Sequence, residues 1–193
     1  MKTESLHPFS ECIDAKSAGF ALSAAARLRN GNLVLEYRLS ARDPEFIRCL
    51  EPSLQATGVD VAGGARKDGL WRETCFEAFI GKKDSTEYFE FNGSVNGDWN
   101  LYSFAGYREG MKEVPVSTEA GPRLANRIFS GGELVLEFSV PAGLLGGEDG
   151  MERLSLTAVV KTSRSTSYWA IRHAGEKPDF HLRGSFCHDP FRN

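Results

Sequence analysis

Residues 70–104 read LWRETCFEAFIGKKDSTEYFEFNGSVNGDWNLYSF. Polarity alternates along this stretch with the two-residue period of a strand that turns one face to a core. Thr74, Phe76, Ala78 and Ile80 share one face of the first run, and Cys75, Glu77 and Phe79 share the other. After the polar turn KKDST, Phe89, Phe91 and Val95 point inward while Tyr88, Glu90 and Asn92 point outward. Asn96-Gly97-Asp98 then turns the chain into Trp99–Phe104. Connections this short join antiparallel neighbours, so the stretch predicts a three-stranded meander.

The same pattern extends in both directions. Upstream, Phe20, Leu22, Ala24, Ala26 and Leu28 line one strand face, and Leu33, Leu35, Tyr37 and Leu39 line the return strand. Asn30-Gly31 between them supplies the residues that tolerate positive φ in a tight hairpin. Downstream, Arg127-Ile128-Phe129 leads through Ser130-Gly131-Gly132 into Glu133–Pro141, followed by strands over Leu154–Val160 and Ser167–His173. This makes about eight or nine strands and no convincing amphipathic helix. Two packed sheets bury so many one-sided strands most economically. The expectation is an all-β, antiparallel β-sandwich, jelly-roll-like, filling residues 1–193 as a single domain. Residues 41–69 and 106–125 are expected to be loops, with a helical turn near Pro141–Leu145.

The composition bounds function. With 23 Lys and Arg against 26 Asp and Glu, the net charge is −3 and no basic cluster exists. Nucleic acid is therefore not an expected partner. No apolar run approaches the length that spans a bilayer, and the N-terminal MKTESLHPFSECIDAK lacks the apolar segment of an export signal, so no membrane partner and a cytoplasmic location are expected. The four cysteines, Cys12, Cys49, Cys75 and Cys187, form no CxxC pair and are expected to be reduced. No phosphate loop, dinucleotide fingerprint, nucleophile elbow or HExxH motif occurs, so no cofactor and no catalytic residue are expected.

Several residues could still carry chemistry. Glu77 sits between Cys75 and Phe79 on a half-buried face, where a carboxylate needs partners. It reads either as half of a structural ion pair, with Arg66, Arg72 or Arg108, or as a ligand-binding group on a concave sheet. Glu90 and Asn92 lie on one side of the next strand. Glu77 and Glu90 together could form the carboxylate pair of a glycoside-active enzyme. Trp71, Trp99 and Trp169 stand beside polar residues, an arrangement that suits either a core or a sugar-stacking platform. His173, Asp179 and His181 could be metal ligands, but their spacing matches no standard zinc pattern.

Four ordered blocks carry a resemblance. They are R-x-D-G-L-W-x-x-T-C-F-E-x-F (66–79), Y-x-E-F-N-x-S-x-x-G-x-W (88–99), F-x-G-Y-R-x-G-M (104–111) and S-Y-W-A-x-x-H-x-x-x-K-P-D-F-H (167–181), with Leu6-His7-Pro8 near the start. This set resembles the DOMON-like domains, and in particular bacterial proteins related to family 9 carbohydrate-binding modules. The resemblance implies a β-sandwich whose site is built by one sheet and its loops. It also implies that Trp71 and Glu77, six positions apart, contribute to that site, with Trp169 as a second stacking platform. An amide common near that second tryptophan is replaced here by Thr166 and Ser167. Other DOMON relatives hold haem through a methionine and a histidine, for which Met111 and His173 are the candidates, although their surroundings do not match.

The expected function is thus a non-catalytic module binding a small polar ligand, a carbohydrate first of all. Trp71 and Trp169 would stack, and Arg72, Glu77, Glu90, Asn92, Arg108 and His173 would offer polar contacts. A glycoside-active enzyme and a haem- or metal-binding domain are the alternatives. Six residues of strand span about 20 Å, so Trp71 and Glu77 can meet one ligand only if the chain bends back at Gly69.

Overall fold

The computed structural model describes residues 2–10, 13–50 and 64–190. Among the described residues eleven strands run in chain order as β1 (Glu4–Pro8), β2 (Ala21–Arg29), β3 (Asn32–Ser40), β4 (Cys75–Lys82), β5 (Tyr88–Gly93), β6 (Trp99–Phe104), β7 (Lys112–Glu113), β8 (Arg123–Ser130), β9 (Glu133–Pro141), β10 (Met151–Lys161) and β11 (Thr166–Ala170). They form one hydrogen-bonded ribbon, ordered β7-β6-β5-β4-β10-β11-β1-β2-β3-β9-β8, in which every ladder is antiparallel.

The ribbon folds on itself at β1. The first half of β1 pairs with β2, Leu6 opposite Leu22, and its end pairs with β11, His7 opposite Ala170. The two halves therefore face each other as an antiparallel sandwich, the expected all-β fold. Leu33, Leu35, Tyr37 and Leu39 of β3 pack with Phe76, Ala78 and Ile80 of β4 in one buried core. Tyr37 crosses between the sheets, its hydroxyl donating to the Glu77 carbonyl at 2.6 Å. Phe91 and Phe138 meet from opposite sheets with ring centroids 5.3 Å apart. Gly93 lets them do so, because a Cβ there would lie 2.7 Å from the Phe138 ring.

The turn chemistry follows the sequence. Arg29 pairs with Asn32 around Asn30 and Gly31, both at positive φ, and Ser130 pairs with Glu133 around two glycines at positive φ. Both are two-residue hairpins whose twist matches the strands they join. A 3-10 turn occupies Ala142–Leu145.

Two expectations need correction. Residues 41–69 are not all loop, since Pro44–Leu50 is a helix, α2. Asp43 accepts the Glu45 amide N–H at 3.0 Å, and proline follows it at the first helical position, where its missing N–H costs nothing. The remainder of that excursion, 51–63, lies outside the described residues. Residues 106–125 are not all loop either, since they contain β7 and the first residues of β8, and a short helix α1 (Ile13–Ser17) and strand β1 are additional to the expected elements. Cys75 and Cys187 are free thiols; Cys12 and the Cys49 side chain lie outside the described residues. No described helix is long and apolar enough to cross a membrane.

Candidate functional site

The meander and β10 turn their second face away from the sandwich core, and the chain covers it. Alternation puts Cys75, Glu77 and Phe79 of β4, Tyr88, Glu90 and Asn92 of β5, and Thr157 and Val159 of β10 on this face. A second apolar cluster forms here. Phe79, Tyr88, Phe104 and Val159 from the strands pack with Phe180 and Phe186 from the C-terminal segment.

Three segments raise walls around the uncovered part. Gly69, in the left-handed region at φ 73°, opens the 3-10 turn Leu70–Arg72. This is the bend that lets Trp71 come back over the sheet, where its ring meets Tyr102 edge-on at 5.7 Å. The loop after β6 brings Arg108 and Met111, and the C-terminal segment brings Pro178, Phe180 and His181. The cavity they enclose with Glu77 and Glu90 on its floor has a volume of about 360 Å³.

Asp179 ties two of these walls together. Its carboxylate accepts the Arg108 guanidinium at 3.0 Å, the Tyr107 hydroxyl, and the backbone N–H of His181 at 3.0 Å. Tyr88, on the sheet beneath, joins the same two segments. Its oxygen accepts the Arg108 amide N–H at 3.3 Å, and its own proton is left for His181 Nδ1 at 2.8 Å. With Tyr88 as the donor in that bond, a neutral His181 carries its ring proton on Nε2, which stands 4.0 Å from Glu90 Oε2. Burial, with the Arg108 charge, holds His181 down to about 4, so the ring is neutral at physiological pH.

The floor concentrates acid in a dry place. Glu77 is 2% exposed and Glu90 5% exposed. Glu90 accepts the Asn92 amide at 2.7 Å, and Asn92 in turn lies 3.4 Å from the Cys75 thiol, which donates to it. Glu77 Oε2 has the Thr157 hydroxyl at 3.4 Å, whereas Glu77 Oε1 has no hydrogen-bond partner. Burial pushes the Glu77 carboxyl well above the usual range, and the nearby Glu90 charge pushes it the same way. Burial likewise raises Glu90 to about 7, against the pull of the Asn92 hydrogen bond and the Arg108 charge. At neutral pH the two carboxyls thus hold at least one proton between them.

Of the residues singled out in the sequence, Trp71, Glu77, Glu90 and Arg108 line this cavity, and Asn92 supports Glu90 from beside it. Three do not reach it. Trp169 is buried in the inter-sheet core, edge-on to Phe20 at 5.2 Å, with its indole N–H on Ser167 Oγ at 2.9 Å. Strand alternation is the reason: Trp169 faces inward, and it is the preceding Tyr168 that lines the cavity. Arg72 projects to solvent on the 3-10 turn, and His173 packs on Phe9 with its Nε2 2.8 Å from the His7 carbonyl oxygen. His173 is therefore not gathered with Met111, which stands at the cavity rim, or with Asp179 and His181. Among the described residues no three His, Cys, Asp or Glu side chains cluster as metal ligands.

The structural ion pair weighed for Glu77 is not formed either. Arg66 turns to Asn100 at 2.9 Å and Glu113 at 3.6 Å, and Arg108 to Asp179. Sequence reasoning misses Tyr168, Phe104 and Phe180 as lining residues. Tyr168 is legible in the alternation beside Trp169, and Phe104 in that of β6, two residues beyond Tyr102; Phe180 depends on how the C-terminal segment drapes across the sheet.

No family model matches this chain, and no curated protein matches it. Among solved structures it is similar to a putative carbohydrate-binding protein from Bacteroides uniformis, with a TM-score of 0.56 and 15% identity, over 96% of this chain and 84% of that one. The likeness is one of fold.

Proposed function

We propose that this protein is a binding module for a small polar ligand of the carbohydrate class, held in the cavity between Trp71, Tyr168 and the Glu77/Glu90 floor. The observation that carries this reading is Glu77 Oε1. It is a buried, unpartnered acceptor lining a cavity with aromatic walls. A buried polar atom without a partner costs about 1–3 kcal/mol, and a ligand hydroxyl or ammonium group removes that cost. Flat aromatic surface for C–H faces beside convergent polar groups is the chemistry that recognises a sugar. The order of the four sequence blocks, with Trp71 and Glu77 on one cavity, supports placement near the DOMON-like and family 9 carbohydrate-binding groups. The fold shared with the putative carbohydrate-binding protein from Bacteroides uniformis supports the coarser reading, a carbohydrate-binding-like fold.

A second reading, general acid–base chemistry on a glycoside, is favoured by Glu90 being raised to about 7 beside a second carboxyl. Against it, both carboxyls lie on one floor, on neighbouring strands. Glycoside hydrolysis needs them on opposite flanks of the scissile bond. Isothermal titration against mono- and disaccharides tests the binding reading, and absence of heat with every sugar defeats it. Release of an aryl leaving group from a panel of aryl glycosides, abolished in Glu90→Gln, would install the second reading instead.

A further inference from the structure

We propose that the cavity selects a cationic ligand, an amino sugar or another small ammonium compound, whose nitrogen seats between Glu77 and Glu90 within the aromatic walls. The inference rests on the reading of this cavity as the binding site and adds the charge of its occupant.

The two carboxyls lack an ion-pair partner of their own. Among the described residues no salt bridge reaches Glu77; Glu90 has the neutral His181 at 4.0 Å and, lining the same cavity, Arg108, whose charge acts on it from a distance. Arg108, the nearest guanidinium, is spent on Asp179. The remaining titratable neighbours are acids: Cys75 on the same strand as Glu77 and Tyr88 on that of Glu90, both raised by burial, and Tyr168 across on β11. On β6, Tyr102 is tied to Asp68 at 2.7 Å. The protein thus builds a buried acidic site whose lining cation, Arg108, is already paired with Asp179. A buried charge without a partner is expensive, so the empty pair keeps a proton, and a hydroxyl bonded to Glu77 Oε1 would satisfy the oxygen and leave that proton in place. An ammonium group satisfies the oxygen and takes the proton's place as the counter-charge.

The walls point the same way. Trp71, Phe79, Phe104, Tyr168 and Phe180 line the cavity together. Ring faces within about 6 Å of a cation attract it electrostatically, most strongly when water is excluded. Diagonal neighbours on adjacent antiparallel strands sit about 7–8 Å apart at the backbone. Glu77 and Glu90 are such a pair, Phe79 standing opposite Glu90 and Asn92 opposite Glu77. One nitrogen bridging two carboxylates fits that spacing.

Such a ligand must displace the proton that the pair holds. Its affinity therefore rises with pH for as long as the empty pair holds that proton, by up to about tenfold per pH unit, and binding releases a proton to the buffer.

The experiment is isothermal titration of the full chain with glucosamine, N-acetylglucosamine, glucose and ethanolamine, at pH 7 in two buffers of different ionisation enthalpy. The expected result is glucosamine at least about tenfold tighter than glucose or N-acetylglucosamine, with net proton release. Glu77→Gln, which keeps the shape and removes the charge, should lose at least about tenfold for glucosamine. Should that variant not fold, the proton count on the unaltered protein decides alone, and uptake or no exchange overturns the inference. Equal binding of glucose and glucosamine overturns it too, while the carbohydrate reading stands. Ethanolamine binding with no sugar binding keeps the cation and removes the sugar. No heat from any of the four defeats both.

Discussion

Tyr168 and Trp169 are adjacent in the chain and serve opposite sides of one sheet: Tyr168 lines the cavity, and Trp169 is sealed between the sheets against Phe20. Substituting them should separate binding from stability. Trp169→Ala empties a large core site and is expected to destabilise by about 3–5 kcal/mol. Tyr168→Ala, at 39% exposure, should leave the denaturant midpoint nearly unchanged while weakening ligand binding. Paired urea melts and titrations of the two variants check this.

The buried carboxyls set an unusual pH dependence. Glu90 is raised from 4.5 to about 7, so between those values the folded state holds a proton that the unfolded chain has lost. Its contribution is present below pH 4.5 and lost as pH rises through about 7. His181 works the other way. Lowered from 6.5 to about 4, it costs stability as pH falls between those values. The two oppose each other below pH 6.5, so the carboxyl effect stands alone from there up to about pH 8. Glu90→Gln should raise stability at about pH 8 by up to about 3 kcal/mol, because each tenfold change in proton affinity is worth about 1.4 kcal/mol. Thermal melts from about pH 5 to about pH 8 should then flatten at the alkaline end.

Gly93 lies where the rings of the two sheets pack closely against the backbone. Gly93→Ala places a methyl carbon 2.7 Å from Phe138 and 2.9 Å from Phe91. Neither ring can retreat within the packed core, so a loss of about 1–3 kcal/mol is expected from overpacking. Denaturant unfolding measures it, and Gly131→Ala, at a site with open space but φ 58°, serves as the backbone-strain control.

Asp179→Ala cuts the tie between the loop after β6 and the C-terminal segment. The Arg108 side of the pair is half exposed, so the stability loss should stay within about 1 kcal/mol. The freed Arg108 can then turn toward Glu90. A titration series should show weaker ligand binding and a smaller preference for cations.

Cys75 should resist alkylation in the folded protein, because it is fully buried and its thiol is pushed well above the ordinary range by burial and the Glu77 charge. Iodoacetamide labelling followed by peptide mapping should modify it only after denaturation.

What can be read from sequence differs by kind of information. Alternation is local, so the faces of Cys75, Glu77 and Phe79, and of Tyr88, Glu90 and Asn92, are legible without coordinates. So are the hairpins at Asn30-Gly31 and Gly131-Gly132, which the turn itself dictates. For Trp169 the motif and the alternation disagree, and the alternation is the better guide. Asp43-Pro44-Glu45 carries a helix start that the surrounding glycines and prolines obscure. β1 is hard to see because only Leu6 of its five residues is buried. The covering of the site by Phe180 and His181, and the knot at Asp179, depend on contacts between residues 93 and 71 positions apart, which no local pattern encodes.

The divided pairing of β1 also bears on how the molecule comes together. Its first half finds β2 nearby in the chain, whereas His7 and Pro8 must wait for Ala170 and Trp169. During synthesis the seam between the sheets therefore stays open until β11 has emerged. Until then the edge of β10 that β11 will cover presents unpaired amides and carbonyls to other chains. A ribosome stalled before residue 166 would hold a nascent chain with that seam unzipped, and a synthetic peptide spanning 166–170 would be competing for the place that β11 fills.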